Sequence, residues 1–450
     1  MGKKRFLHGF GVLLGIAGLT LALSLSAFAA DKKVESEEDA KEFLTELLSG
    51  DAASLSDTYA LSNDFSRGLK RQGGFKQIQN SLKRMGEYVG MGDISSSEND
   101  GMTVYRLPIS YSIQSFDFAL TIDDGEVAGL YLAPYTGGED GDESVDSDQV
   151  RKLSIPVTGH KNWSLPAFLW LPEGDGPFPL VILIHGSGPN DRDESVGKCK
   201  PFRDIAEGLA EKGIATLRYD KRTFVYGREM TQGEEVTLKE EVIDDVLAAL
   251  SLAKEQEEVD KDQIYLAGHS LGGMALPRIA KEVGEGEVAG YIFLAAPARG
   301  LGELMVEQNK FLLSLRDTPE DMVEKETEEL DKELEKLSNL SDQPEDEPIF
   351  GALPVYWEYL EGLNQVEEGK EIDEPCLFLQ GDEDYQVSVE DDFEVWKDAL
   401  GGKGNVTFTS LEGLTHLFTE GKKSDGPLAY QQKAEVADAV IDAMAEFVGK

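Results

Sequence analysis

The sequence predicts two domains: a small α+β domain and, after it, a larger α/β domain with a mostly parallel sheet and helices on both faces. From about residue 150 onward, short apolar runs alternate with amphipathic stretches of helical period. That alternation is typical of parallel strands buried on both faces. Residues 263–274 have the pattern of a strand, a tight turn and a helix, whereas residues before 135 have helical patterns followed by strand-like runs. A length of 450 residues with 40% hydrophobic side chains suits two packed domains.

Composition limits the possible partners. The formal net charge of −43 argues against nucleic acid, because a polyanion repels phosphates. The two cysteines, Cys199 and Cys376, are too few for a disulfide framework. No cluster of histidines and carboxylates has the spacing of a metal site, so neither a metal nor a cofactor is expected. The composition does not predict the oligomeric state.

Residues 1–30 have the pattern of a signal peptide. Lys3, Lys4 and Arg5 precede an apolar run, and Ala27-Phe28-Ala29 supplies the small-x-small cleavage pattern. The expected mature chain begins near residue 30 or 31 and is secreted, either free or associated with the cell envelope. An uncleaved membrane anchor is the alternative; cleavage would leave no stable anchor.

Residues 31–135 predict the small α+β domain. Acidic residues after Ser36 mark the start of a helix, and residues 102–110, 115–122 and 127–132 predict strands, the last two joined by a turn at Asp124-Gly125. This order resembles the small NTF2-like or cystatin-like domains of unknown function that precede hydrolase domains. Residues 136–148, rich in Gly, Asp and Ser, are expected to be the linker to the domain at 149–450.

The strongest functional signal is Gly268-His269-Ser270-Leu271-Gly272, a G-x-S-x-G pattern between a predicted strand and a predicted helix. The glycines leave room for a turn tight enough to lift the Ser270 hydroxyl clear of the sheet. The N–H of Leu271, at the start of the helix, would face a developing oxyanion. A glycine–serine turn without chemistry is the alternative, but this context predicts a nucleophile.

A serine hydroxyl needs a base, and histidine is the usual one. The chain has five histidines, of which His8 lies in the predicted signal peptide. His269 adjoins the nucleophile and is expected to point away from it; His185 ends a predicted strand and His160 precedes the core sheet. His416 follows the last predicted strand, where a loop can carry the imidazole to Ser270, and is therefore the expected base. A helix is expected to close the chain over residues 427–448.

The acid should follow a strand between Ser270 and His416, and Asp382 and Asp384 both follow the apolar run at residues 376–379. Spacing does not choose between them.

Residues 150–450 resemble the α/β-hydrolase superfamily, in particular secreted bacterial esterases of the branch that includes dienelactone hydrolases and serine aminopeptidases. The resemblance rests on the G-x-S-x-G turn and on residues 185–194 (HGSGPNDRDE), 217–222 (LRYDKR) and 380–387 (QGDEDYQV). It implies a serine, an acid and a histidine in that chain order, acting on ester or amide substrates. Its G-x-x-D-x-x-V pattern favours Asp384 as the acid, with Asp382 in reserve.

The second oxyanion donor is expected on the loop that follows the strand ending near His185. The backbone N–H of Ser187 is the first choice and that of Gly186 the second. Asn190, Asp191, Arg192 and Asp193 are expected to brace this loop through ion pairs rather than take part in chemistry.

Residues 300–365 interrupt the alternation with three helical patterns, near 301–315, 322–340 and 354–363, the second strongly acidic. In the superfamily, insertions here form caps over the acyl site; a solvated decoration is the alternative.

The function expected is hydrolysis of small-molecule carboxylic esters through an acyl-enzyme. A serine peptidase of aminopeptidase type or an acyl-thioester hydrolase on the same fold are alternatives. A non-catalytic ligand-binding protein is disfavoured because no position of the expected triad is missing.

Overall fold

A computed structural model describes residues 32–71, 73–82, 88–92, 94–99, 102–111, 115–134, 149–230, 236–315 and 320–449. The chain forms two compact units, Met1–Gly141 and Asp142–Lys450. The predicted signal peptide at 1–30 and the predicted linker at 136–148 lie outside the described residues, so both stay predictions.

The first unit combines helices with an antiparallel sheet. Its helices are α1 (Glu37–Leu48), α2 (Leu55–Thr58), α3 (Asn63–Arg71) and α4 (Gly74–Leu82), and its strands are β1 (Tyr88–Met91), β2 (Ser95–Asn99), β3 (Met102–Tyr111), β4 (Ser115–Asp123) and β5 (Glu126–Pro134). The sheet order is β1-β3-β4-β5, and β2 pairs with β3. Ser36 begins α1 by accepting a hydrogen bond from the Asp39 N–H at 3.2 Å. Asp124 and Gly125 make the predicted turn, both with positive φ.

The core of this unit lies between α1 and the sheet. Apolar side chains of α1, including Phe43, Leu44 and Leu47, pack with Leu107 and Phe118 of the sheet. Their helical spacing puts them on one face of α1, so the helix buries that face and leaves its acids in solvent. The structure confirms the antiparallel sheet of the predicted small α+β unit. The resemblance of this unit to NTF2-like or cystatin-like domains stays a prediction.

The second unit is built on an eight-stranded sheet. Its strands are β6 (Val150–Pro156), β7 (Ser164–Trp170), β8 (Phe178–Ile184), β9 (Ala215–Tyr219), β10 (Val259–His269), β11 (Gly290–Leu294), β12 (Cys376–Gly381) and β13 (Val406–Leu411). The order is β13-β12-β11-β10-β8-β9-β7-β6, and only the pairings of β7 with its two neighbours are antiparallel. The predicted mostly parallel sheet is confirmed.

Helices cover both faces of this sheet. They are α5 (Pro201–Glu211), α6 (Arg222–Met230), α7 (Asp244–Lys254), α8 (Leu271–Val283), α9 (Leu301–Ser314), α10 (Glu320–Leu337), α11 (Pro354–Glu361), α12 (Gln365–Gly369), α13 (Glu394–Leu400) and α14 (Asp438–Val448), with π-helical turns at Lys239–Ile243 and Val389–Phe393 and 3-10 turns at Leu340–Asp342 and Lys423–Gln431. Alternate residues of β8 enter two separate cores: Leu180, Ile182 and Ile184 one, Val181 and Leu183 the other. This alternation explains why the strand is apolar at every position.

One expectation about the helices is wrong in its starting residue. The closing helix, expected over 427–448, occupies only Asp438–Val448, because Gln432 and Ala437 have extended backbones and Val436 pairs with Thr419 in an isolated antiparallel bridge. The insertion between β11 and β12 carries α9, α10 and α11 close to the expected positions, whereas α6, α12 and α13 are helices that the sequence analysis does not predict.

Within the described ranges, none of the helices combines the length and apolarity needed to cross a lipid bilayer.

Candidate active site

Ser270 lies in a strained turn between β10 and α8. Its backbone has φ 50° and ψ −118°, a conformation that residues other than glycine rarely adopt. The Ser270 N–H donates to the Leu294 carbonyl oxygen at 2.9 Å. A Cβ at Gly268 would lie 2.5 Å from the Gly272 backbone, and one at Gly272 would lie 2.5 Å from the Ile184 carbonyl oxygen. The two glycines of the pattern are therefore required by close backbone contacts on both sides of the turn.

Asp384 lies on the loop after β12 and contacts His416. Its Oδ2 is 2.7 Å from His416 Nδ1, and its Oδ1 accepts the backbone N–H groups of Gln386 at 2.7 Å and Val387 at 3.0 Å. Gln380 Nε2 donates to Oδ2 at 3.0 Å. Since Asp384 is 2% exposed, these donors replace the water that a buried carboxylate loses. The carboxylate is held in one orientation with one oxygen toward the imidazole.

Asp382, the reserve acid, has a different environment. It is exposed, and its Oδ1 accepts the Gly413 N–H at 2.7 Å. A Cβ at Gly381 would lie 2.2 Å from the Leu414 carbonyl oxygen, so the loops after β12 and β13 cross at backbone distance. Asp382 thus fastens the start of the histidine loop, while Asp384 faces the imidazole.

His416 is also tied to the residue that precedes Ser270. His269 Nε2 donates to the His416 carbonyl oxygen at 3.0 Å, and the two ring centroids are 4.6 Å apart. His416 is 4% exposed. With Nδ1–H directed at Asp384, the imidazole keeps a lone pair on Nε2 that can take a proton. The structure therefore places Asp384, His416 and Ser270 at the same edge of the sheet.

The loop after β8 carries Gly186 and Ser187, the two residues whose backbone N–H groups were expected as oxyanion donors. The Gly186 N–H donates to Glu194 Oε1 at 2.5 Å, so this N–H is already engaged. In the part of the chain that the structure describes, no acceptor is found for the Ser187 N–H. A Cβ at Gly186 would lie 3.1 Å from Ser270 Cβ, which puts the loop directly against the serine. Leu271 begins α8, where the first N–H groups have no partner within the helix.

Glu194 is a residue of this site that sequence reasoning missed. It is 3% exposed and has a positive φ of 52°, and its Oε2 lies 3.0 Å from His269 Nδ1 without hydrogen-bond geometry. Burial alone would lower the pKa of His269, but the Glu194 carboxylate outweighs it, so the pKa of His269 is raised. Positive φ and burial of an acid depend on tertiary contacts, and the loop sequence carries no pattern that predicts them.

Residues 190–193, which were expected to brace the loop after β8, make ion pairs and hydrogen bonds there. Arg192 pairs with Asp220 through two hydrogen bonds of 3.0 Å, and Arg218 pairs with Asp193. Asn190 Nδ2 donates to the carbonyl oxygens of Gly186 and Ser187, both at 3.2 Å, and Asp191 accepts from Ser195. Asn190 and Asp191 therefore act through hydrogen bonds rather than ion pairs.

The inserted helices contact the acid loop. The ring of Phe311 on α9 stacks on Tyr385, next to Asp384, with centroids 5.3 Å apart, and Gln308 Nε2 donates to the Gln386 carbonyl oxygen at 3.0 Å. Most of α10 faces solvent, as its charge predicts. The insertion is thus attached beside Asp384 through α9. Across the described ranges, no group of three or more His, Cys, Asp or Glu side chains is arranged to hold a metal ion.

The fold and the turn at Ser270 define an α/β-hydrolase. Residues 177–422 match a family model described as Hydrolase_4, serine aminopeptidase S33. The chain is 36% identical to esterase EstD of Thermotoga maritima over 379 residues, which are 83% of this chain and 86% of that protein. The chain belongs to this serine aminopeptidase S33 family of α/β-hydrolases. The predicted fold and the predicted class of enzyme, a carboxylic ester hydrolase, are confirmed.

Two further similarities are more limited. Dipeptidyl aminopeptidase BIII of Pseudoxanthomonas mexicana is 30% identical over 136 residues, which are 28% of this chain and 19% of that protein. Among solved structures, Est1E from Butyrivibrio proteoclasticus aligns with a TM-score of 0.44 and 21% identity, over 66% of this chain and 99% of that chain.

Exchanging each aspartate for asparagine should separate their roles. Asp384→Asn preserves shape but can no longer fix the His416 tautomer, so we expect turnover of a short-chain p-nitrophenyl ester to fall by about 10³- to 10⁴-fold. Asp382→Asn, the matched control, should retain turnover within about threefold because the Asp382 carboxylate accepts the Gly413 N–H and asparagine can do the same. A crippled Asp382→Asn enzyme beside an active Asp384→Asn enzyme would show that the acid is misassigned.

His185 should make the unit sensitive to acid. Burial lowers its pKa to about 4, since the ring is 1% exposed and packs against Phe202 and Tyr219. Between about pH 6.5 and 4, His185 is therefore protonated in the unfolded chain and neutral in the folded chain, so the free energy of unfolding falls as pH falls through that window. The total loss attributable to His185 is about 3 kcal/mol. His185→Gln should lose less stability than the wild type between pH 7 and 4.5 in urea unfolding; equal losses would contradict this account.

Proposed function

We propose that this chain is a secreted serine esterase in which Ser270, Asp384 and His416 form the catalytic triad. The observation that carries the proposal is the 2.7 Å contact between Asp384 Oδ2 and His416 Nδ1, at the sheet edge where Ser270 occupies its strained turn. The likeness to an esterase over 83% of the chain supports esters as substrates.

In the proposed reaction, His416 Nε2 takes the proton of the Ser270 hydroxyl while Oγ attacks the carbonyl carbon of a small-molecule ester. The oxyanion that forms accepts hydrogen bonds from the N–H groups of Leu271 and Ser187. Its collapse breaks the ester C–O bond, and the alcohol leaves with the proton from His416. Water then attacks the acyl-enzyme by the same route, releasing the acid and restoring Ser270.

Asp384 has two tasks in this scheme. It fixes the tautomer with Nδ1–H, and it stabilises the imidazolium that exists after each proton transfer. The three N–H donors on Asp384 keep the carboxylate in place without neutralising it. Activity should fall when His416 is protonated, because the cation has no lone pair for the serine proton.

A serine aminopeptidase is the second candidate, favoured by the family description and by the partial likeness to a dipeptidyl aminopeptidase. That likeness covers 28% of the chain, against 83% for the esterase. The esterase proposal is therefore the stronger.

Ser270→Ala should lose at least about 10³-fold in turnover of p-nitrophenyl acetate, because without Oγ no acyl-enzyme can form. A fluorophosphonate probe should label the wild type at Ser270 and leave the variant unlabelled. Ser251→Ala, which removes an exposed serine hydroxyl from helix α7, is the control and should keep wild-type activity.

A substrate panel decides between the two candidates. Esters of increasing acyl length, set beside aminoacyl p-nitroanilides, should show preference for esters. Preference for the anilides with a free amino terminus would favour the peptidase, and full activity of Ser270→Ala would reject both.

Export is proposed from residues 1–30, whose basic, apolar and small-x-small segments have the order of a signal peptide. When the full chain is expressed in a bacterium, the protein collected outside the cytoplasm should begin at Ala30 or Asp31. Amino-terminal sequencing checks this, and a chain retained in the membrane with residues 1–30 intact would favour the anchor instead.

A further inference from the structure

Lys221 is a buried lysine that the proposed reaction does not use. Its side chain is 2% exposed, and Nζ lies 2.7 Å from the Gly186 carbonyl oxygen and 2.5 Å from Glu241 Oε1. The other carboxylate oxygen of Glu241 accepts a hydrogen bond from the Tyr356 hydroxyl at 2.8 Å. Tyr356 belongs to α11 of the insertion. A continuous polar chain therefore joins the loop beside Ser270 to an inserted helix.

The atom that Lys221 holds matters because of peptide geometry. The Gly186 carbonyl and the Ser187 N–H belong to one planar trans peptide, so they point in opposite directions. By binding the Gly186 carbonyl oxygen, the Lys221 ammonium group also fixes the direction of the Ser187 N–H on the opposite side of the same peptide. It also draws electron density toward the oxygen and makes that N–H a stronger donor.

The neighbouring contacts restrict the same peptide further. Asn190 Nδ2 reaches the Gly186 carbonyl oxygen at 3.2 Å, and Glu194 Oε1 holds the preceding N–H at 2.5 Å. Both polar groups of Gly186 are thus engaged by side chains, whereas the Ser187 N–H has no acceptor among the described residues. Burying an ion pair is costly and contributes little net stability, which suits a role in orientation.

We propose that Lys221 is a positioning residue: it orients and polarises the Gly186–Ser187 peptide so that the Ser187 N–H serves the oxyanion, and Glu241 links this setting to Tyr356 of the inserted helix. The proposal rests on the proposed function of Ser270. Lys221 does not touch the substrate; it acts through the peptide that does.

The test replaces the buried pair together. Lys221→Met alone would leave the Glu241 carboxylate buried without a cation, so Lys221→Met/Glu241→Gln is the main variant. The glutamine still accepts the Tyr356 hydroxyl. We expect kcat for p-nitrophenyl acetate to fall by about 10- to 100-fold with KM changed less than about threefold. The affinity of phenylboronic acid, whose serine adduct is tetrahedral, should fall by the same factor as kcat.

The control is Lys254→Met/Glu287→Gln, which removes a partly exposed pair 2.6 Å apart and should change neither quantity. A folded main variant with wild-type kcat and boronate affinity would overturn the proposal, as would a loss confined to KM. If the main variant does not fold, Lys221→Arg is measured instead; it keeps the charge but displaces the donor, and wild-type values would likewise overturn the proposal.

Tyr356→Phe tests the link to the inserted helix, with an expected fall of about two- to fivefold in kcat and in boronate affinity together. No change would reject the link. Fluorophosphonate labelling of the wild type distinguishes failure of the proposed function from failure of the Lys221 proposal. A wild type that is neither labelled nor active rejects the proposed function. A labelled, active wild type beside an unaffected main variant rejects only the role of Lys221.

Discussion

Parallel pairing of β8, β10, β11, β12 and β13 is the constraint on which the second unit depends. Because these strands run in one direction, their carboxyl ends meet at one edge of the sheet. The register pairs Gly268 with Ile184 and Leu294 with Leu379, so the turn at Ser270 lies between the loops that follow the neighbouring strands. A slip of one residue would exchange the two buried faces of a strand, and both cores oppose it.

Close contacts between backbone segments fix the positions of the loops around Ser270. Gly272 packs on the Ile184 carbonyl, and Gly381 packs on the Leu414 carbonyl, each too close for a side chain. The Ser270 N–H is bonded to the carbonyl at the end of β11. A strained serine conformation persists only where its surroundings over-determine it, and these contacts do so. The backbone conformation of Ser270 is therefore fixed by contacts between the sheet and its loops.

Buried charge surrounds this framework. Glu194, Lys221, Glu241 and Asp384 are all nearly inaccessible, and each contacts a group of opposite charge or a set of hydrogen-bond donors. Such groups would be expensive to bury alone, and the pairs contribute less to stability than apolar side chains of the same volume would. Glu194 and Lys221 hold the N–H and the carbonyl oxygen of Gly186, and Asp384 holds the His416 imidazole, so these three charges fix orientations beside Ser270.

The sequence by itself determined the elements and several of the residues. Apolar runs and helical periods predicted the sheet because local backbone preference and burial leave a regular pattern along the chain. Ser270 was recognisable because its turn demands glycines at fixed spacing, and His416 because so few histidines exist to choose from. The G-x-x-D-x-x-V pattern favours Asp384, but only the tertiary structure brings its carboxylate to His416, while Asp382 meets the Gly413 N–H at the start of the same loop. The tertiary structure also decided the burial of Glu194 and the reach of Lys221 to Gly186, because contacts between distant loops depend on strand order and register, which no local pattern records.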